Sequence, residues 1–187
     1  MRRFVWFLLP IALVGLVMFF RANAAPTQEK AAPMPINSLV ATNYGPAPEL
    51  NNTTWINSDK PLKLAELRGN VVLLEFWTFE CINCQHTLPA MKDFYTKYHD
   101  KGLVIIGDHF PEFDFERNVD NVRTAVKENG IQYAVAIDND GATWNAYQQR
   151  YWPTMYLIDK QGQIRYQAIG EHDYSRTEEA IKALLAE

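Results

Sequence analysis

Short continuous runs of apolar residues alternate along this chain with longer stretches in which apolar residues recur at helical spacing. The continuous runs lie at residues 71–77, 103–107 and 133–137, and they have the length of strands that are covered on both faces. The stretches 88–98 and 115–126 place an apolar residue at every third or fourth position, which predicts amphipathic helices. The pattern therefore predicts three buried strands joined by two helices.

The last third of the chain predicts a short helix, a hairpin and a final helix. Residues 142–149 have the pattern of the short helix, and residues 155–158 and 163–168 flank the turn sequence Asp-Lys-Gln-Gly, which is typical of a hairpin. Residues 175–178, Ser-Arg-Thr-Glu, have the form of a capping box and predict the start of the final helix. The whole order predicts an α/β fold with a mixed central β-sheet flanked by helices on both faces.

The N-terminal region lacks this pattern. Two arginines precede an uncharged, mostly apolar run at residues 4–20, and small residues follow at 22–25, as in a secretory signal peptide. The run is also nearly long enough to span a bilayer. We therefore expect residues 1–25 to be a signal peptide or an N-terminal membrane anchor, residues 26–48 to be a flexible linker, and residues 49–187 to be the folded domain. Either form of the N-terminus predicts a periplasmic or other extracytoplasmic location, soluble after cleavage or tethered to the inner membrane.

Composition adds that the 187 residues include only two cysteines. Cys81 and Cys84 stand in the sequence Cys-Ile-Asn-Cys, directly after the first buried strand. A disulfide that closes so short a loop removes little entropy from the unfolded chain, and two thiols fall short of a four-ligand metal site. The pair is interpreted as a redox-active disulfide, with no other cofactor and no metal expected. The formal net charge of -4 gives no indication of a nucleic-acid partner.

The start of a helix suits the chemistry of thiol-disulfide exchange. Cys81 would lie at the helix N-terminus, where unpaired backbone N–H groups and the helix dipole favour its thiolate. The three-residue spacing places both sulfurs on one face of the helix, within bonding reach. We therefore expect Cys81 to attack the target disulfide. Cys84, one turn into the helix and more buried, would then resolve the mixed disulfide.

Glu75 lies inside the first apolar strand. Burying an ionised, unpaired carboxylate is costly, so its pKa should be raised. The interpretation is that Glu75 is the general acid and base for Cys84, either in direct contact or through a water molecule. The alternative is an outward-facing carboxylate on an edge strand.

Two segments carry a resemblance to a known family. Residues 75–84, Glu-Phe-Trp-Thr-Phe-Glu-Cys-Ile-Asn-Cys, and the distant Trp152-Pro153-Thr154 resemble thioredoxin-fold proteins. The sequence is similar to the exported TlpA/ResA/DsbE-like group, and within it to the thioredoxin-like C-terminal domain of DipZ-type proteins, from Ala47 to the C-terminus. The resemblance implies a thioredoxin-like fold.

The resemblance also implies where a substrate binds. Pro153 corresponds to the cis-proline that faces the two cysteines in this fold, and the backbone of Trp152 would pair with an extended substrate. Trp77, Trp152 and Phe79 would then form an apolar rim around the site, although each is also a candidate for the core.

Three further polar residues are less informative. His109 and Glu112 follow the second buried strand, on the edge where open α/β sheets bind ligands. A role in binding or proton transfer and a position in a plain surface loop both remain open for them. His86 follows Cys84 by two positions, but it would add only a third ligand to the two thiols.

The direction of electron flow is predicted from the residue before Cys81. Glu80 carries a negative charge that disfavours the Cys81 thiolate and so favours the disulfide form. The predicted function is therefore an extracytoplasmic thiol-disulfide oxidoreductase that reduces protein disulfides. The alternatives are a thiol peroxidase and a copper-binding or other metal-binding redox chaperone.

The expected partners follow from this function. They are protein disulfide substrates and a membrane electron-donor protein, because DipZ-type proteins carry an electron-delivery module that this chain lacks. Membrane association is expected through residues 4–20 if they are not cleaved.

Overall fold

The computed structural model of this protein describes residues 36–187. The predicted signal peptide or anchor, residues 1–25, and the first part of the predicted linker, residues 26–35, lie outside the described residues. Among residues 36–187, no helix has both the length and the apolar character needed to cross a membrane.

Six strands form one mixed sheet in the order β1-β4-β3-β2-β5-β6. Strands β2, β3 and β4 are parallel, and β1, β5 and β6 each run antiparallel to a neighbour. Their bounds are β1 Thr54–Ile56, β2 Val71–Trp77, β3 Leu103–His109, β4 Ala134–Ile137, β5 Thr154–Ile158 and β6 Ile164–Ile169. Because β2 lies between β3 and β5, the segment that leads into the cysteines is central in the sheet.

Helices cover both faces of the sheet, as predicted. Their bounds are α1 Ile36–Leu39, α2 Ile82–Tyr98, α3 Val119–Glu128, α4 Ala142–Ala146 and α5 Tyr174–Ala186. Helices α2, α3 and α5 pack on the face to which Leu73 and Trp77 point. Helix α4 packs on the opposite face, against Leu74 and Phe76. Every residue of β2 is buried, which explains its unbroken apolar sequence.

Several elements differ from the sequence prediction. Helix α3 begins at Val119 and α4 ends at Ala146, whereas helices over 115–126 and 142–149 are predicted. Strand β1 was not predicted, because three residues at the edge of a sheet are too few to show a period. The predicted start of α5 at Ser175 is wrong by one position, since the helix begins at Tyr174 and is capped by Asp173. The Asp173 carboxylate accepts a hydrogen bond from the Ser175 backbone N–H at 3.0 Å, and aspartate caps helices as well as serine does.

The described part of the predicted linker contacts the folded domain. The Val40 side chain is buried, and its carbonyl oxygen accepts hydrogen bonds of 3.0 and 2.6 Å from the Arg165 guanidinium. The Tyr44 N–H donates to the Ile164 carbonyl at 2.9 Å. Ordered contacts with β6 therefore begin before residue 49.

Candidate active site

Cys81 and Cys84 lie where β2 leads into α2. Cys81 is the N-cap of α2 and is partly exposed, and its Sγ accepts a hydrogen bond from the Cys84 backbone N–H at 3.3 Å. Cys84 has no solvent-exposed surface, and both side chains are free thiols. Because the first N–H groups of a helix favour negative charge beside them, the structure gives one accessible sulfur in an anion-stabilising position and one enclosed sulfur.

The enclosed sulfur is held in its protonated form. Burial raises the pKa of the Cys84 thiol well above its ordinary value, and the hydrogen bond with Cys81 and the negative charge of Glu75 raise it further. Cys84 can therefore act as a nucleophile only when a nearby base accepts its proton.

Glu75 is a buried carboxylate that interacts electrostatically with Cys84. It has no solvent-exposed surface, and it lies on the face of β2 that is covered by α2, because it alternates with Leu73 and Trp77. Burial raises the pKa of Glu75 to about 7, and a hydrogen bond from Thr87 partly opposes this shift. The alternative of an outward-facing carboxylate on an edge strand is excluded, since β2 is central.

The Thr87 hydroxyl links Glu75 to the cysteine helix. It lies 2.6 Å from Glu75 Oε1 and 2.7 Å from the Cys84 carbonyl oxygen. A hydroxyl has one proton to donate, so it donates to Glu75 when that carboxylate is ionised. When Glu75 is protonated, Glu75 can donate to the hydroxyl, which then donates to the Cys84 carbonyl. Both protonation states of Glu75 thus have a hydrogen-bonded arrangement, as a group that titrates near neutrality requires.

Pro153 lies beside the end of β2, as the resemblance implied. The Trp152–Pro153 peptide bond is cis. The next residue, Thr154, pairs with Phe76 of β2, and the Pro153 carbonyl accepts a hydrogen bond from the Gly170 N–H at 2.8 Å. This register brings Pro153 to the edge of the sheet from which the cysteine segment emerges.

Trp152 is half-buried in an aromatic stack. Its ring centroid lies 4.5 Å from that of Trp144 and 5.9 Å from that of Phe110. The side chain is therefore fixed in position beside Pro153, with part of its surface open to a bound partner.

Trp77 does not form part of an exposed rim. Its side chain is 1 % exposed, and its ring packs edge-on against His109 at a centroid distance of 5.4 Å. The structure therefore places Trp77 behind the cysteines, in the core, because the face of β2 that carries it is covered. Phe79, in contrast, is partly exposed and stacks on His109 at 5.6 Å, with Phe115 at 5.9 Å.

The sequence analysis missed Glu116, a buried carboxylate that joins two loops. Its Oε1 accepts hydrogen bonds from the Thr78 hydroxyl and from the Glu80 backbone N–H at 3.1 Å. Its Oε2 accepts from the backbone N–H groups of Glu112 and Phe113, both at 2.8 Å. A single side chain therefore fixes the loop that precedes Cys81 to the loop that follows β3.

These hydrogen bonds decide the charge of Glu116. Burial raises its pKa, but the hydrogen bonds from Thr78, Phe113, Glu80 and Glu112 together lower the pKa below its ordinary value. Glu116 is thus an anion near the cysteine segment. A glutamate three residues into a helical turn is a known capping signal, but here the capping position holds Phe113 instead of Ser or Thr, so the usual sequence pattern is missing.

His109 is part of the same buried group. Burial lowers the pKa of His109 to about 4, against the opposing charge of Glu116, so the ring is neutral at pH 7. Its Nε2 lies 3.3 Å from the Thr78 oxygen. Because Thr78 donates its own proton to Glu116, the His109 Nε2–H donates to Thr78. Glu112, by comparison, is exposed and contributes only its backbone N–H to this network.

His86 pairs with a carboxylate on the protein surface. Its Nδ1 is 2.9 Å from a carboxylate oxygen of Glu171, and both side chains are about half-exposed. Within residues 36–187, no group of three or more His, Cys, Asp or Glu side chains is arranged to hold a metal ion.

Comparison with known proteins agrees with this arrangement. The chain is 46% identical over 144 residues to Protein DipZ of Mycobacterium tuberculosis, which covers 75% of this chain and 21% of DipZ. It is 34% identical over 125 residues to the thiol-disulfide oxidoreductase ResA of Bacillus thuringiensis, covering 67% of this chain and 69% of ResA. A crystal structure of a thioredoxin-like superfamily protein matches with a TM-score of 0.71 at 29% identity, covering 76% of this chain and 97% of that one.

The matches cover different shares of the related proteins. The chain spans about a fifth of the length of the DipZ proteins that it matches, but most of ResA and nearly all of the matched structure. The thioredoxin-like fold expected from the sequence is confirmed. Residues 45–167, which include both cysteines, Glu75 and Pro153, match the AhpC/TSA family, and the chain belongs to that family.

Proposed function

We propose that this protein is a thiol-disulfide oxidoreductase that reduces disulfides of other proteins. The observation that carries the proposal is the position of the three reacting groups. Cys81 is accessible at a helix N-terminus, and Cys84 is enclosed one turn later. Glu75 is buried, interacts electrostatically with Cys84 and has its pKa raised to about 7. The name of ResA, a thiol-disulfide oxidoreductase, supports the same reaction.

The reaction proceeds in two exchanges. The Cys81 thiolate attacks one sulfur of the target disulfide, which forms a Cys81–target bond and releases the other target sulfur as a thiolate. Glu75 then accepts the Cys84 proton, and the Cys84 thiolate attacks Cys81 Sγ. A Cys81–Cys84 disulfide forms, the second target thiolate leaves, and two electrons have passed to the target.

The binding surface in this proposal lies on both sides of Cys81. The backbone of Trp152 pairs with an extended target segment next to Pro153. Phe79 supplies apolar surface on the other side, because it is partly exposed and stacks with Phe115, which is 50% exposed. Trp77 is excluded from direct contact by its burial.

Two carboxylates support reduction as the direction of the reaction. Glu80 directly precedes Cys81, and Glu116 holds the Glu80 backbone N–H at 3.1 Å. Negative charge near Cys81 favours the disulfide form over the dithiol form, which makes the dithiol the better electron donor. Measurement of the reduction potential against glutathione tests this direction. A potential near −120 mV, typical of strong oxidants, would contradict it.

The site of action and the electron donor are further parts of the proposal. The signal-like composition of residues 1–25 supports a location outside the cytoplasm, either free or held at the membrane. Each turnover leaves a Cys81–Cys84 disulfide that must be reduced again, so a donor in the membrane is required to bring electrons across it. Fractionation of cells that express the full chain with a C-terminal tag tests the location.

Trapping of mixed disulfides tests the central claim. The Cys84→Ser variant should form a stable bond between Cys81 and a model peptide disulfide, whereas Cys81→Ser should form none, because Cys84 is enclosed. Wild-type protein should reduce the peptide disulfide. It should not accelerate the loss of hydrogen peroxide above the uncatalysed rate. Rapid peroxide consumption with slow disulfide reduction would favour a thiol peroxidase instead.

A further inference from the structure

Three buried polar atoms lie on the side of the sheet that is covered by α2. They are Glu75 Oε2, the Trp77 indole N–H and the Tyr133 hydroxyl, and none of them has a hydrogen-bond partner among the described residues. Buried polar groups are usually paired, so three in one region require an explanation.

Gly107 shows how close these groups are. It is the cross-strand neighbour of Glu75. A methyl group added at Gly107 would lie 2.7 Å from Trp77 Nε1 and 3.3 Å from Tyr133 Cε2. The indole N–H and the edge of the phenol ring therefore meet above the glycine, next to the strand position of the carboxylate.

The surroundings of Glu75 are otherwise nearly free of charge. On α2 it faces Cys84. The Tyr133 hydroxyl, just before β4, and the Tyr174 hydroxyl, on α5, each interact electrostatically with both Glu75 and Cys84. The Tyr174 hydroxyl also has no hydrogen-bond partner among the described residues. Its strand neighbours Gly107 and Met155 carry no titratable group.

The three unpaired atoms have complementary chemistry. An indole N–H can only donate, an ionised carboxylate can only accept, and a phenol hydroxyl can do both. A molecule that accepts from Trp77, donates to Glu75 and bonds with Tyr133 would satisfy all three. Water has the required donors and acceptors, and buried waters typically make about three hydrogen bonds.

We propose that a single ordered water molecule binds between Glu75 Oε2, the Trp77 N–H and the Tyr133 hydroxyl, and that Trp77 and Tyr133 are positioning residues for Glu75. The water donates to the ionised carboxylate and so stabilises it. Gly107 makes room for the Trp77 indole, since a Cβ at this position would lie only 2.7 Å from Trp77 Nε1. This inference rests on the proposed role of Glu75 in the reaction, but its test needs no turnover.

Titration of the Glu75 carboxyl group tests the proposal. The signal can be followed by carbon NMR in glutamate-labelled protein and identified by its loss in Glu75→Gln. In Tyr133→Phe the water loses one partner and holds the carboxylate less well, so the midpoint should rise by about one pH unit, equivalent to a tenfold change in the ionised fraction. The midpoint of the pH profile for the resolution of a mixed disulfide by Cys84 should rise together with the midpoint of the Glu75 titration.

A matched control separates this effect from a general loss of stability. Tyr147→Phe also removes a buried tyrosine hydroxyl, which donates to the Pro48 carbonyl at 2.9 Å on the opposite face of the sheet. It should leave the Glu75 midpoint unchanged. Gly107→Ala should raise the midpoint by displacing the Trp77 indole N–H from the water, and if that variant fails to fold, Tyr133→Phe still decides.

Two results would overturn the proposal. One is a Tyr133→Phe midpoint equal to that of the wild type. The other is a high-resolution crystal structure with no water within about 3.2 Å of both Trp77 Nε1 and Glu75 Oε2. A wild-type protein that reduces no disulfide would instead remove the proposed function, and the titration would still answer whether the water site exists.

Discussion

Glu75 and Glu116 are both buried near the cysteines, yet their pKa values are shifted in opposite directions. Glu116 accepts four hydrogen bonds from the protein, and its pKa is lowered. Glu75 accepts one, from Thr87, and burial raises its pKa to about 7. Burial alone therefore does not decide the charge of a carboxylate, because the number of donors aimed at it can reverse the effect. Glu116 is a permanent anion that holds loops together, and Glu75 is a group that can exchange a proton.

The largest expected effect comes from removing the charge of Glu116. In Glu116→Gln an amide N–H₂ replaces one carboxylate oxygen. This group then faces the backbone N–H groups that donated hydrogen bonds to that oxygen. We expect a loss of about 4 kcal/mol in the free energy of unfolding, measured by urea denaturation at pH 7. The control is Glu112→Gln, at an exposed neighbouring position. Equal stability of the two variants would mean that the hydrogen-bonded loop connection contributes nothing.

Glu75→Gln should have a stability effect that depends on pH. The pKa of Glu75 is higher in the folded protein than its reference value of 4.5, so ionisation is harder in the folded state. Stability is therefore full below pH 4.5 and falls as the pH rises to about 7. The variant avoids this loss, and its stability relative to wild type should be about 3 kcal/mol greater at pH 8 than at pH 4. Parallel urea titrations at the two pH values measure this difference, and a constant offset between the proteins would rule out a raised pKa.

The same substitution should slow the resolution of mixed disulfides. Without a base for Cys84, release of the second target thiol should fall about 100-fold at pH 8. Its rate should also lose the rise with pH around pH 7 that the raised pKa of Glu75 predicts for the wild type. Stopped-flow measurement on a preformed Cys81 mixed disulfide isolates this step. If Glu75→Gln keeps the wild-type pH profile, Glu75 is not the base.

A smaller effect should follow from removing the one donor to Glu75. The Thr87 hydrogen bond lowers the pKa of Glu75, so Thr87→Val should raise that pKa above 7. We expect resolution about fivefold slower at pH 7 and close to the wild-type rate at pH 9, since the loss of one hydrogen bond is modest. Thr96→Val is the matched control, because Thr96 donates to the Lys92 carbonyl on an exposed part of the same helix. A uniform slowing at all pH values would point to a distorted helix instead.

The smallest effect should come from Glu80. Its side chain is exposed, so its charge is screened and acts weakly on Cys81. Glu80→Gln should raise the reduction potential by about 10 mV, measured by equilibration with glutathione. A rise of several tens of millivolts would show that Glu80, more than the buried Glu116, sets the direction of electron flow.

The central strand and the residues of its apolar run could be predicted from the sequence. Strand β2 has the predicted bounds, because it is covered on both faces and every position is apolar except Glu75. That single exception also made Glu75 recognisable as a candidate base. Strand β1 was missed for the opposite reason, since it has three residues and lies at the edge of the sheet.

The role of other residues depended on contacts that the sequence does not show. Glu116 stands among several acidic residues of one loop, and only the fold reveals that four donors converge on it. Trp77 was expected on the rim, but an aromatic residue at the end of a buried strand can point into the core or toward solvent. Its burial became visible only with the helices in place.

The enclosure of Cys84 also affects how long each covalent complex with a target protein lasts. In the proposed reaction, the covalent complex between Cys81 and a target is resolved only after Glu75 accepts the Cys84 proton. Since that step needs an ionised Glu75, the dwell time of the covalent complex lengthens as the surroundings become more acidic. Local acidity thus tunes how long the protein holds each partner before releasing it.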